Sequence, residues 1–470
     1  MRAILPSLVP LALLVAALSL LAARPAQADL DAFLKKPESV YKWEKRGEEV
    51  VDGCTVYDLH MVSQTWQDIV WEHRVQIFKP EKLEHPNFCC VYNTGGNGSP
   101  TNTAMGVRMA NESGALFAIV FGIPKQPLYN GLTEDALVVH TWLKFLETGD
   151  ESWPLHFPMA KAVLKSLDAI QAFAKQAGLA PVREFAVAGA SKRGWTTWLC
   201  GASKDKRIKA IIPMVIDVLN VRKQGVHQKA SYGAFSDQIS DYTRVNMMDR
   251  LETPQGRRLM ELEDPYSYRD RLTLPKLLIL GTNDPYWSQD SLNLYWDELR
   301  GPKWVLYAPN SGHGLDDRER VFATWAAFVR MIAGKGSWPR MRWGYADKPN
   351  GTQLQLSSDT APLEARFFHV AAPNRDFRKS RWTFEPMHQF GSQFQQDWMR
   401  PAEGFNAIFG EAVYQVGGRV FTLSTQIRIL GPARAPKQAG AGKPERKRER
   451  NRKRSAAPAA ASGAQAPPSR

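Results

Sequence analysis

The stretch Phe185-Ala186-Val187-Ala188-Gly189-Ala190-Ser191-Lys192-Arg193-Gly194-Trp195 carries the reading on which the rest of the chain turns. Phe185–Ala188 is a short apolar run of strand character, and the residues after Ser191 read as a helix. A serine on so sharp a strand-to-helix turn holds its hydroxyl above the sheet. Its neighbours must be small, because strand and helix nearly touch there. The spacing departs from G-x-S-x-G: Arg193 stands where the second glycine belongs, and Gly194 follows one position later. Taken alone the motif is weak, since many strand-to-helix turns carry Gly and Ser for structural reasons.

Two segments further on add to it. The apolar run Leu277–Leu280 leads into Gly281-Thr282-Asn283-Asp284, and Trp304–Tyr307 leads into Pro309-Asn310-Ser311-Gly312-His313-Gly314. Ser191, Asp284 and His313 thus follow one another in the order of the α/β-hydrolase fold. Each sits past the carboxyl end of a strand, where open α/β sheets build their sites. A serine hydroxyl is a poor nucleophile until an imidazole takes its proton, and the imidazole needs a carboxylate to hold its tautomer. Asp284 has a plainer reading as the cap of a helix starting near Ser288. Asp217, at the end of the preceding strand, is the alternative acid, and His227 and His140 are weaker candidates for the base.

Acyl transfer also needs hydrogen-bond donors for the developing oxyanion. The backbone N–H of Lys192 is the first expected donor, and the Gly95-Gly96 loop after the strand Phe88–Tyr92 supplies the second. A plain glycine-rich turn is the bland reading of that loop. Lys192 and Arg193 bring cations close to the serine, which suits a polar or anionic substrate group. Arg193 has a second reading, paired with a helix-face carboxylate.

Outward from this centre, residues 55–335 alternate strand and helix patterns, as a mainly parallel sheet covered by helices requires. Residues 219–270 interrupt the rhythm with polar and aromatic sequence of no clear period, and are expected to cap the sheet above Ser191. Trp287, with some of Tyr232, Phe235 and Tyr242, is expected to wall a substrate pocket there, although such aromatics also serve simply to pin an insertion. A helix is expected around Ser291–Leu299. From residue 340 to 431 alternating runs separated by turns suggest a small all-β domain, so the α/β-hydrolase-like part is expected at 29–339. Cys54, Cys89, Cys90 and Cys200 show no metal spacing. A Cys54 pairing with Cys89 or Cys90 is open, while Cys200 reads as a buried thiol.

The ends differ in kind. Arg2, the apolar run Leu8–Ala23 and the A-x-A pattern Ala26-Gln27-Ala28 read as a signal peptide over residues 1–28, with a retained anchor as the alternative. Export, periplasmic or secreted, is the resulting expectation, with no transmembrane segment in the mature chain. The formal charge of +14 is concentrated in residues 432–470, which hold eleven Lys/Arg against two Glu and so carry +9 of it. That placement argues against nucleic acid as a partner. The tail's Ala, Pro and Gly content is that of a disordered segment. An anionic envelope surface fits its basic run in an exported protein, and a solvated tail without a partner is the plain alternative.

The chain resembles the PhoPQ-activated pathogenicity-related family, which also includes an amoebal proliferation repressor. The resemblance spans roughly residues 40–430. It rests on Glu134-Asp135-Ala136-Leu137, Trp153-Pro154 with Pro158-Met159, the Gly189–Trp195 elbow, Asp264-Pro265-Tyr266, Asn283-Asp284 and Asp376-Phe377-Arg378. It implies an α/β-hydrolase-like domain followed by a β domain and no particular substrate. The elbow also looks like that of glucuronoyl esterases, which the rest of the chain matches poorly. The expected activity is hydrolysis of a small-molecule or glycan ester with neither metal nor organic cofactor. The rival is a catalytically silent binding or signalling protein on the same fold.

Overall fold

The structure, a computed structural model, describes residues 30–433. The expected leader at 1–28 lies outside the described residues, as does all of the basic tail except its first two residues.

Among the described residues nine strands are laid down before residue 310: β1 (Lys42–Val51), β2 (Cys54–Trp66), β3 (Ile69–Lys79), β4 (His85–Asn93), β5 (Ala115–Val120), β6 (Glu184–Ala190), β7 (Ile208–Met214), β8 (Lys276–Gly281) and β9 (Lys303–Ala308). They pair in the order β1-β2-β3-β5-β4-β6-β7-β8-β9. The first three and the β3–β5 junction are antiparallel, and every junction from β5 to β9 is parallel. This is a mainly parallel α/β-hydrolase-type sheet. Its central strands are apolar throughout because both faces are covered. Leu278 and Leu280 of β8 join the core on one face, and Leu277 and Ile279 join that on the other. His156–Gln176 and Lys192–Ala202 pack on the first face, and Pro100–Ser113 and Arg318–Ala333 on the second.

Residues 219–270 are helical, although no period announces it. The helices Val221–Tyr232 and Pro254–Glu263 flank several short turns. Thr253 caps the second helix, accepting from Gly256 N–H at 3.1 Å with Pro254 in the first turn. Asp264 closes the insertion at its base. Its carboxylate accepts the N–H of Val221 (2.8 Å) and of Asn220 (3.3 Å) at the start of the segment, and of Tyr266 (2.9 Å) at its end. The helix expected around Ser291–Leu299 is two 3-10 turns, Ser291–Leu294 and Trp296–Glu298.

From Met341 to Leu430 the regular elements are all strands: β10 (Met341–Lys348), β11 (Gly351–Ser358), β12 (Glu364–Ala372), β13 (Thr383–Pro386), β14 (His388–Phe390), β15 (Gln393–Met399), β16 (Phe405–Val416), β17 (Arg419–Ser424) and β18 (Arg428–Leu430). This β region is not set apart from the sheet before it. β17 pairs with β9, so β17-β16-β12-β13 extends the main sheet, while β10-β11-β15-β14 forms a second one. A strand edge left bare at β9 is thereby covered.

All four cysteines are buried free thiols. The open Cys54 pairing does not occur, for a geometric reason. β3 and β5 lie between β2 and β4, so Cys54 is three strand spacings, roughly 14 Å, from Cys89 and Cys90. A disulfide needs Cα atoms within about 7 Å.

Candidate active site

Ser191 stands between β6 and the helix Lys192–Ala202 with φ 56° and ψ −130°. That backbone conformation is strained for a side chain other than glycine. Its N–H donates to Met214 O of β7 at 2.9 Å, and its carbonyl accepts from Trp195 N–H at 3.0 Å. The glycines on either side leave no room for a substitute. A Cβ on Gly189 would lie 2.4 Å from Arg193 O, and one on Gly194 would lie 2.7 Å from Ile216 Cγ2 and 2.9 Å from Met214 O. The displaced second glycine therefore does the work of the usual one, because position 194 is where the helix meets β7. Lys192 is the first residue of the helix, where a backbone N–H has no intrahelical acceptor.

Asp284 and His313 meet. His313 Nδ1 is 2.8 Å from Asp284 Oδ2, while Asp284 Oδ1 accepts the N–H of Tyr286 at 2.9 Å. The carboxylate is thus both orienter and local cap. Tyr286 lies against the imidazole, ring centres 4.3 Å apart. Among the described residues no hydrogen bond joins Ser191 to His313. Gly281 allows the two loops to cross, since a Cβ there would lie 2.5 Å from Gly312 O and Ser311 O.

Asp217 is elsewhere occupied. It is buried, and its Oδ1 accepts from Tyr295 OH at 2.7 Å. Burial, with the charges of Asp284 and Asp290 added, pushes its carboxyl up to about 8. The imidazole faces Asp284 and not Asp217. His227 is bound to Asp290 at 2.7 Å and His140 stacks on Tyr129.

The cations near the serine are spoken for. Arg193 donates from Nη1 and Nη2 to Glu134 (2.7 and 2.6 Å) and from Nε to Ile123 O (2.5 Å). Lys192 Nζ lies 2.7 Å from Glu134 and 3.4 Å from Asp135. Burial works against the Glu134 charge, yet Arg193 and Lys192 together hold its carboxyl below the ordinary range. Arg193 therefore does not reach substrate space, and the helix-face carboxylate is the reading that holds. The Gly95 loop serves this clamp: a Cβ on Gly95 would lie 2.3 Å from Arg193 Nη2. Gly96 has φ +66° and its carbonyl accepts from Gly122 N–H at 2.9 Å.

A cavity of about 70 Å³, partly open to solvent, begins at Ser191 and Lys192. The insertion roofs it with Gln224, Ile239, Tyr242 and Met248, and Tyr286 and Trp287 close another side. Tyr232 and Phe235 do not border it. Tyr232 OH donates to Trp287 O at 2.5 Å beneath the Arg378 guanidinium, and Phe235 lies beneath Lys229. These two pin the insertion.

Several residues of the site escape local sequence reasoning. Glu134 and Asp135 open a helix like many acidic residues. Asn283 and Asn310 look like turn formers. Yet Asn283 Nδ2 donates to Ser380 O (2.6 Å) and Arg378 O (3.2 Å), and Asn310 exchanges hydrogen bonds with Trp382 (2.7 and 3.0 Å). The segment 377–382 of the β region thereby props the loops that carry Asp284 and His313. Among the described residues no group of His, Cys, Asp and Glu is arranged to hold a metal ion.

A model of the PhoPQ-activated pathogenicity-related protein family matches residues 30–378. Autocrine proliferation repressor protein A of Dictyostelium discoideum is 34% identical over 367 residues, which cover 73% of this chain and 74% of that protein. Among solved structures, acetyl xylan esterase 1 from Thermoanaerobacterium sp. is similar at a TM-score of 0.46 and 16% identity, over 64% of this chain and 92% of its own. An S-formylglutathione hydrolase from Agrobacterium tumefaciens is similar at 0.42 and 15%, over 63% and 100%. Structural likenesses this remote carry no chemistry across.

Proposed function

This chain belongs to the PhoPQ-activated pathogenicity-related protein family, and we propose that it is an exported serine hydrolase acting on a carboxylic ester. One observation carries the reading: a strained serine at a sterically enforced elbow shares the carboxyl edge of the sheet with a histidine already held by an aspartate. Ser191 Oγ attacks the ester carbonyl while His313 Nε2 takes the hydroxyl proton, and Asp284 stabilises the imidazolium through Nδ1. The Lys192 N–H meets the oxyanion. His313 returns the proton to the departing alcohol, and water then releases the acid by the same steps in reverse order.

A fluorophosphonate probe tests this directly. The native protein should be labelled, and Ser191→Ala and His313→Ala should not. A second reading, a ligand-binding protein on the same fold, is favoured by the missing Ser191–His313 hydrogen bond, although uncomplexed sites often run loose. Unlabelled native protein would support it. Export rests on residues 1–28 alone, and N-terminal sequencing of the mature protein, expected to begin near Asp29, decides it.

A further inference from the structure

His156 opens the helix His156–Gln176 and is 1% exposed, yet it has no part in the chemistry above. Its Nδ1 lies 2.5 Å from Glu263 Oε2, at the last residue of the insertion's helix Pro254–Glu263. Glu263 is fully buried and also accepts from Trp142 Nε1 at 3.0 Å and from the His156 N–H at 3.3 Å. The imidazole stacks on Trp195, ring centres 4.6 Å apart and planes 16° apart, and Trp195 Nε1 donates to Glu263 O at 2.6 Å. The ring is therefore locked on one side and one face.

The other nitrogen is unclaimed. His156 Nε2 is buried and has no hydrogen-bond partner, and His156 borders the cavity that begins at Ser191. A structural tie between helix and insertion accounts for Nδ1 and leaves Nε2 unexplained, because a buried polar atom without a partner costs stability. The cavity around it is aromatic: Trp142, Trp195, Tyr242, Tyr286 and Trp287 all border it. Building on the proposed hydrolase, we propose that His156 is a specificity residue whose Nε2 hydrogen-bonds a hydroxyl carried on a flat, aromatic acyl group of the substrate. A hydroxyl suits the site in either protonation state of the ring, since it both donates and accepts. Glu263 is the positioning residue, fixing which nitrogen faces Glu263 and which faces the ligand.

Binding to the otherwise native Ser191→Ala protein separates this claim from catalysis. Quenching of tryptophan fluorescence would be followed with methyl benzoate against methyl 4-hydroxybenzoate, and methyl cinnamate against methyl 4-hydroxycinnamate. In at least one pair the hydroxylated ester should bind about tenfold tighter, the scale of one well-made hydrogen bond to a buried group. His156→Asn keeps an amide donor where Nδ1 meets Glu263 but lacks Nε2, and should abolish the preference. His156→Gln places an amide near Nε2 and should restore part of it. Equal binding within both pairs, or a preference untouched in His156→Asn, overturns the proposal. If the variants do not fold, the ¹⁵N resonance of His156 Nε2 should move with the hydroxylated ester and not with its partner, and a resonance that stays put overturns it equally. Failure of fluorophosphonate labelling would sink the hydrolase and leave this preference standing, so the two readings fail separately.

Discussion

Asn283 donates its side-chain amide to the carbonyl of Ser380 at 2.6 Å, tying the loop that carries Asp284 to a segment of the β region 97 residues away. Phe377 O and Arg378 O lie within reach of the same nitrogen. Asp284 is thus held by the loop between β12 and β13, strands that reach the main sheet only through its C-terminal extension.

Asn283→Ala should therefore slow the chemistry more than it weakens the fold. Labelling of Ser191 by fluorophosphonate is expected to fall about ten- to a hundredfold, as for small misplacements of reacting groups. Stability should fall by about 1–2 kcal/mol, for one lost multi-acceptor contact. Thermal melts beside labelling rates check this, and a large drop in melting temperature at an unchanged labelling rate would contradict it.

Glu134→Gln removes the shared counter-charge of Arg193 and Lys192, whose side chains are only 10% and 9% exposed. Glu134 itself is 41% exposed, so solvent screens part of the loss and about 1–3 kcal/mol is expected. The folded protein holds this carboxyl below its ordinary range, so the stabilisation is present above about pH 4.3 and fades as pH falls below it. Melts of native and variant protein should converge under acid conditions. Parallel curves at all pH values would show that the pairing contributes nothing.

Asp217 keeps its proton in the fold until about pH 8, raised first by burial and then by the neighbouring carboxylates. The unfolded chain gives up that proton near pH 4. Between these limits the folded state binds the extra proton, so native stability declines as pH rises, by at most about 1.4 kcal/mol per unit, and levels off above about 8. Asp217→Asn lacks this titration and still accepts from Tyr295. Its melting temperature should gain on the native protein from pH 5 to pH 8. A gap independent of pH would mean that Asp217 is ionised inside the fold.

Trp287 borders the cavity, and its tie to Tyr232 runs through the backbone carbonyl, which an alanine retains. Trp287→Ala should lower kcat/KM for an ester substrate by the equivalent of ~1–3 kcal/mol, as for one lost apolar contact, with little change in melting temperature. Unchanged kinetics with a lower melting temperature would make Trp287 scaffold.

The elbow and the order of the candidate residues were legible in local sequence, with Asp217 left as the alternative acid. Gly189, Ser191 and Gly194 are legible because a strand-to-helix turn is a matter of adjacent residues and their bulk. Asp284 and His313 are legible as candidates because each lies on a loop a few residues past an apolar run of strand character. The helices of the insertion were not legible, since a roof that buries one small face needs no strong period.

What only the tertiary structure decided is who meets whom. Sequence alone left Arg193 with two readings, and the clamp with Glu134 spans 59 residues. The pairing of His156 with Glu263 spans 107, and that of Asn283 with Ser380 spans 97. The β region could be read as all-β from its alternating residues, but not as an extension of the main sheet through β17 and β9. Nor could the free state of Cys54 be read, since it depends on β3 and β5 lying between β2 and β4. Hydrophobic period and turn chemistry act over a few residues and leave their mark in order. Ion pairs, buried amides and strand neighbours act through space, and their partners are chosen only when the sheet brings distant segments to one edge.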